Sequence, residues 1–212
     1  MVILPCTFAC DNDNKKVQES QQNFDDVRVF DEFLNRPDAW RDEAMAASYW
    51  QPHPHYPWFV SEEACRGLEA TATHISRLVG APLKDWHAGG AGSTVGRFHL
   101  YLDGAEPLSN FHADPFDLAA VLYLSPNPPV GSGTLFSRTV IQTRQRPTEP
   151  LRPVPDGEDV TADTQDTFEV GNRYNRLVIY RGARFHKAYG YFGDSRRSGR
   201  LTAAFFFNMD RS

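Results

Sequence analysis

An imidazole and a carboxylate two positions apart on an extended segment point to the same side of the chain. Asn110-Phe111-His112-Ala113-Asp114 offers such a pair. Only seven His occur, and one other stands out: His186, in Phe185-His186-Lys187, at the head of a later candidate strand. Two His and one carboxylate can occupy one face of an octahedral ion and leave three positions open. That donor set suits Fe(II), because a chelating cosubstrate takes two open positions and dioxygen the third. By itself His-x-Asp is a weak signal, common by chance. A third feature strengthens it: Arg200, about one hairpin beyond His186, opens the run Arg200-Leu201-Thr202-Ala203-Ala204-Phe205-Phe206-Phe207. A planar guanidinium there could grip a distal carboxylate through two hydrogen bonds. Thr202, on the same face of that strand, adds a hydroxyl donor.

Other residues have plainer readings beside functional ones. Tyr123 could donate from a neighbouring strand to the same carboxylate or simply pack. Arg184, two before His186, could face the same pocket. Arg196 and Arg197 sit in Asp194-Ser195-Arg196-Arg197-Ser198-Gly199, which reads as a solvated hairpin tip. The segment from Tyr49 to Trp58 alternates aromatics, Pro, His53 and His55, and reads as a lid, a dimer contact or packing onto the core; His53-x-His55 also offers a metal reading, which the lack of a Glu and a third His at suitable spacing disfavours. His74 reads as a helix-surface residue, His99 as a strand residue beside the core and His87 as a loop residue.

These side chains need strands to hold them. Val95-Phe98-Leu100, Leu118 to Leu124, Leu177 to Tyr180 and Leu201 to Phe207 are short apolar or alternating runs separated by Gly, Pro, Asn and Asp, the texture of an antiparallel sandwich or barrel. Two helices precede them. Asn35-Arg36-Pro37-Asp38 is a start signal for a helix to about Ser48, with Ala39, Trp40, Ala44 and Ala47 on one side. A second helix is expected from Ser61, with Ser61 as cap, Glu62 and Glu63 in its first turn, and an apolar face of Ala64, Leu68, Ala72, Ile75 and Val79. Gly80 and Pro82 end it. Residues 1–23 include the polar, aperiodic stretch 11–23, read as a flexible lead-in, and 143–166 reads as a long loop. Helices first and strands after imply one α+β domain over 24–212.

With 212 residues, 41% hydrophobic and 23% charged, the chain has globular composition and length for a real core. Aromatics at 13%, with 15 Gly and 15 Pro, favour strands and turns over a helical bundle. A net charge of −5, with no basic block except Arg196-Arg197 and Arg200, argues against a nucleic-acid partner. No apolar run reaches membrane-span length. Cys6, Cys10 and Cys65 are odd in number and are taken as reduced thiols, although Cys6 and Cys10 could form half a metal site; a cytoplasmic location is expected.

The order of these pieces resembles a known family. His112-Ala113-Asp114 is followed by the strand Val121-Leu122-Tyr123-Leu124-Ser125 and then by Gly131-Ser132-Gly133-Thr134-Leu135-Phe136. Asn175 to Tyr180 leads into His186, and Arg200 comes after it. This is similar to the prolyl-4-hydroxylase-like branch of the 2-oxoglutarate, iron(II)-dependent dioxygenases, over about residues 95–208. Val29-Phe30-Asp31-Glu32-Phe33-Leu34 with Pro37, and Tyr56-Pro57, resemble a bacterial group of that superfamily. Ser125 stands where Asn is common, and Gly-Ser-Gly replaces Gly-Gly.

The resemblance implies a double-stranded β-helix (jelly-roll, cupin-like) core with the N-terminal helices packed on it. It implies Fe(II) held by His112, Asp114 and His186, and 2-oxoglutarate held by Arg200, with Thr202 and Tyr123 beside it. O₂ would be consumed, succinate and CO₂ released, and an unactivated C–H bond of a small molecule or of an amino-acid or peptide side chain oxidised. Because Asp114 is present, hydroxylation or another oxidative outcome is expected rather than halogenation. Two other functions use the same residues: a zinc hydrolase or lyase on the His/Asp/His set, and a non-catalytic β-sandwich that binds a ligand. A homodimer is compatible with either.

Overall fold

The computed structural model describes residues 27–52, 58–86, 93–104, 111–137 and 167–210. The expected flexible lead-in, the 143–166 loop, Cys6, Cys10, His53, His55 and His87 lie outside the described residues.

The described elements run in the order β1 (Val27–Phe30), α1 (Pro37–Ala46), β2 (Tyr49–Trp50), β3 (Trp58–Ala64), α2 (Leu68–Val79), β4 (Leu83–Lys84), β5 (Arg97–Tyr101), β6 (Leu118–Tyr123), β7 (Gly133–Ser137), β8 (Thr167–Gly171), β9 (Leu177–Arg181), β10 (His186–Tyr189) and β11 (Arg200–Met209). The larger sheet has the order β1-β9-β6-β11-β5-β3-β2, with β4 on the far end of β11; the smaller is β10-β7-β8. All the pairings are antiparallel.

Counting core segments from β5, with the short stretch at His112 as the second, the pairing is nested. The first segment pairs with the last, β5 with β11. The second pairs with the seventh, His112 with β10 through His186. The third pairs with the sixth, β6 with β9, and the fourth with the fifth, β7 with β8. This is the jelly-roll wrap, an antiparallel ribbon folded over so that its strands fall into two facing sheets.

The parity of the large sheet separates two interiors. Leu201, Ala203, Phe205 and Phe207 of β11, Leu122 of β6, Leu177 and Ile179 of β9 and Phe98 of β5 pack with Trp40 and Ala44 of α1 and Leu68, Ala72 and Ile75 of α2. The Trp40 ring meets Phe98 at 6.1 Å and Phe205 at 6.3 Å, both edge-on. The alternate residues, Ala119 and Tyr123 of β6 and Val178 and Tyr180 of β9, face Phe136, Phe168 and Val170 of the small sheet. A strand buried on both faces has no need of polar alternation, which is why β11 reads Ala-Ala-Phe-Phe-Phe. A one-residue slip would exchange the two sets.

The first helix begins as expected with Pro37 in its first turn, but neither Asn35 nor Arg36 caps it with a side chain. The second helix is shorter than expected. Ser61, Glu62, Glu63 and Ala64 belong to β3, not to a helical first turn. The Ser61 hydroxyl accepts from the Phe98 amide and donates to the Glu63 carbonyl, so its hydrogen bonds serve the β3–β5 edge. The helix ends at Gly80, in the left-handed region at φ 74°, as Gly permits. Arg197 is exposed as expected, but Arg196 is half-buried. Its guanidinium donates to the carbonyls of Met45 and Ala47 and stacks 4.7 Å from the Tyr49 ring, closing the last turn of α1. Arg41 reaches from α1 to the carbonyls of Leu124 and Arg197, tying the helix to the end of β6 and to the β10–β11 connection.

Among the described residues no helix is long and apolar enough to cross a membrane. His99 is buried on the inner side of β5, and its ring donates to the Thr94 carbonyl at 3.1 Å. Burial pulls its pKa down to about 4, with the Thr94 carbonyl opposing. The folded chain keeps this ring neutral while the unfolded chain takes a proton near 6.5. Stability should therefore rise with pH between those values. Denaturant titrations at pH 4.5 and 7.5 should show a loss of ~2 kcal/mol at the lower pH from this group. His99→Gln should flatten the slope by that amount.

Candidate metal centre

His112 and His186 are far apart in sequence and opposite one another in space. The His112 amide donates to the His186 carbonyl at 3.0 Å, and the His186 amide donates back at 2.9 Å. In antiparallel chains such a reciprocal pair places both side chains on one face of the ladder. Their rings lie 4.5 Å apart. Asp114, two residues on, has its amide held by the Gly182 carbonyl at 2.7 Å, which fixes the chain as it leaves the bridge.

The side chains converge. His112 Nε2 lies 3.9 Å from Asp114 Oδ1, and His186 Nε2 lies 3.4 Å from Asp114 Oδ2. One donor atom from each of the three falls within 4.8 Å of the others, a group able to hold a metal ion. Side-chain exposure is 54% at His112 against 11% at Asp114 and 7% at His186, so the centre opens to solvent on the His112 side.

The residues fit a cation on three counts. Asp114 Oδ2 is buried without a hydrogen-bond partner, an orphan acceptor that a bound ion would satisfy. Burial pushes the Asp114 carboxyl up to about 6, and the charge of His112 opposes that rise. A carboxylate desolvated this far gains more from a cation than one in water does. His186 donates from Nδ1 to the Arg184 carbonyl at 2.8 Å, which selects the tautomer with its lone pair on Nε2, toward Asp114. Burial holds its pKa well below the usual value, with His112 acting in the same direction, so the ring stays neutral.

The remaining expected residues line the same interior. Arg200, 2% exposed, donates to the Gly133 carbonyl at 3.0 Å, while its Nε has no partner. Its guanidinium carbon stands 4.6 Å from the Tyr101 ring and 5.7 Å from the Tyr123 ring. No acidic side chain among the described residues pairs with it. Tyr123 is fully buried, its hydroxyl 2.7 Å from Thr134 Oγ1, and Thr202 is its cross-strand partner. Burial lifts the Tyr123 phenol, against the pull of Arg200, so it is a protonated donor at neutral pH. Arg184 donates to the Ser137 carbonyl and lies 5.8 Å from the ring of Phe168, which faces the same interior.

Tyr101 and Tyr180 belong to the interior as well, and the residue patterns had not singled them out for it. Tyr101 is the cross-strand partner of Arg200, stacks on Tyr191 at 5.1 Å and has Trp58 at 6.0 Å. Trp58, the end of the aromatic segment, thus joins the wall beside the guanidinium. Burial takes the Tyr101 phenol up to about 12. Tyr180 places its hydroxyl 3.0 Å from His186 Nε2. Its pKa is raised well above the usual value, first by burial and next by the charge of Asp114. Parity was the available signal: Val178 and Tyr180 alternate with Leu177 and Ile179, so one pair had to face inward.

No family model matches the chain, and no curated protein matches it in sequence. Among solved structures, the crystal structure of a Pseudomonas putida prolyl-4-hydroxylase is similar, at 12% identity and a TM-score of 0.42, over 86% of this chain and 92% of that one.

Two substitutions test the centre. Asp114→Asn keeps the shape and removes the buried charge. Above about pH 6 the metal-free variant should melt no lower than the wild type. Zn(II) or Co(II), which should raise the wild-type melting temperature, should leave the variant unmoved. Gly182 bears no side chain because a Cβ there would run into the Phe116 carbonyl oxygen and press on that of Asp114. Gly182→Ala should weaken metal binding about tenfold, or 1.4 kcal/mol, with the circular dichroism spectrum retained.

Proposed function

We propose that the chain is a 2-oxoglutarate- and O₂-dependent non-haem iron oxygenase that hydroxylates or otherwise oxidises an unactivated C–H bond of a small molecule or of an amino-acid or peptide side chain. The observation that carries this reading is the pairing of two incomplete sites in one jelly-roll interior. A His/Asp/His set with an orphaned carboxylate oxygen asks for a cation, and the buried guanidinium of Arg200, with no acid partner among the described residues, asks for an anion. A charge left unpaired in the interior costs several kcal/mol. One dicarboxylate that chelates a metal at one end and carries a carboxylate at the other answers both demands.

His112, Asp114 and His186 would hold Fe(II) and leave the remaining positions open. The bound ion supplies O₂ activation coupled to the oxidative decarboxylation of 2-oxoglutarate to succinate and CO₂. Arg200 pairs with the distal carboxylate, and the rings of Tyr101 and Tyr123 hold the guanidinium between them and shield the pair from water. Thr202 and Tyr123 contribute hydroxyl donors on the same inner face. A neutral His186 and a deprotonated Asp114 would offer a divalent cation one lone pair and one negative charge, which leaves the ion attractive to an anionic chelator. A zinc hydrolase on the same donors would leave Arg200 buried without a purpose.

The test is anaerobic titration with Fe(II) and then 2-oxoglutarate, followed by the weak visible charge-transfer band of the chelate. The wild type should develop the band and Asp114→Ala should not. Arg200→Ala should need on the order of 100-fold more cosubstrate, the worth of a lost buried charge pair. Metal binding without any band in the wild type would remove 2-oxoglutarate and leave the zinc-type reading.

A further inference from the structure

The Tyr180 hydroxyl occupies an unusual position. It lies 3.0 Å from His186 Nε2, and the Tyr180 and His186 rings are 4.6 Å apart. The other ring nitrogen of His186 is committed to the Arg184 carbonyl. Nε2 is therefore the nitrogen with a lone pair, both the acceptor of the phenol's proton and the atom a metal must use. Asp114 Oδ2 approaches the same nitrogen at 3.4 Å. The phenol and the would-be metal compete for one lone pair.

We propose that Tyr180 is a positioning residue that gates the metal centre: in the metal-free protein its O–H caps His186 Nε2, and on loading it passes its hydrogen bond to an anionic oxygen of the chelating cosubstrate. The second half rests on the iron and 2-oxoglutarate reading; the first does not. Tyr180 is wedged edge-on against Phe136 at 5.1 Å, and among the described residues its hydroxyl bonds only to His186. When a metal takes Nε2, this buried hydroxyl must find another acceptor or remain unsatisfied. Anionic oxygens enter that space with the cosubstrate. Metal alone is thus bound at the cost of the phenol's hydrogen bond, and metal with cosubstrate is not, so the two ligands favour each other's binding.

Removing the hydroxyl should then act with opposite signs on the two steps. Orientation of the His186 ring does not depend on Tyr180 alone, because the Arg184 carbonyl and the backbone bridge to His112 also hold it. Tyr180→Phe deletes a single oxygen from a packed ring, and its metal-free fold is verified by circular dichroism and melting.

The experiment titrates wild type and Tyr180→Phe with Co(II), read by its visible absorption, and then titrates each Co(II) protein with 2-oxoglutarate without oxygen. The expected result is Co(II) binding about three- to tenfold tighter in the variant, the worth of one hydrogen bond, with 2-oxoglutarate binding weaker by a similar factor. Equal or weaker Co(II) binding in the variant overturns the gate, and tighter Co(II) binding with unchanged 2-oxoglutarate affinity overturns the transfer. If the wild-type Co(II) protein takes up no 2-oxoglutarate, the cosubstrate reading and the transfer built on it fall together, while the Co(II) comparison still decides the gate.

Discussion

Two backbone hydrogen bonds between His112 and His186 are the contact on which the site depends. They make a cross-strand pair of residues that are remote in sequence, and they set both imidazoles on one face. Asp114 follows at the spacing that returns a side chain to that face, and Gly182 holds its amide at the turn between β9 and β10. Each of these constraints is backbone geometry, so the donor set exists before any ion arrives. Preorganisation of this kind spares a ligand the entropy of assembling its own site.

The jelly roll makes room for such a site by dividing its burial. The outer face of the large sheet is sealed by α1 and α2 with aliphatic and aromatic side chains, where hydrophobic burial can stabilise the fold. The inner space between the sheets can then hold Asp114, His186, Arg200 and four tyrosines, Tyr101, Tyr123, Tyr180 and Tyr191. Polar groups in that space carry a desolvation cost, visible as raised carboxyl and phenol pKa values and lowered imidazole ones. The helices are therefore more than a decoration of the β core. Trp40 and its neighbours form the apolar core that stabilises the sheet whose other face carries these polar groups.

Tyrosine recurs in that interior for a physical reason. A phenol ring fills space like a hydrophobe, shields a guanidinium by its face and still offers one hydroxyl that remains protonated at neutral pH. Tyr101 and Tyr123 use their faces toward Arg200, while Tyr180 uses its hydroxyl toward His186. Each end of the interior thus has aromatic walls around one charged or coordinating group. Among the described residues neither His112, Asp114 nor His186 pairs with Arg200, so the buried carboxylate and the buried guanidinium do not neutralise each other directly.

Residue type and local spacing by themselves determined a good deal. The two-residue step from His112 to Asp114 defines two of the three candidate metal ligands, because alternation along an extended chain is local. The apolar runs at 118–124, 177–180 and 201–207 became β6, β9 and β11, and Pro37 and Gly80 marked helix ends through their own φ preferences. The family resemblance supplied the jelly-roll order, which the nested pairing bears out. What no local rule could reach was decided by contacts between distant segments. Ser61 to Ala64 carried helix-start signals yet became a strand, because β5 offers an edge whose hydrogen bonds outweigh a marginal helical turn. Arg196 looked solvated until the β10–β11 connection folded onto the end of α1. Tyr101 and Tyr180 join the site only through sheet register, which sets Tyr101 opposite Arg200, and through the turn that brings His186 back against Tyr180. Spacing along a chain fixes which side chains share a face, but only pairing between strands decides which faces meet.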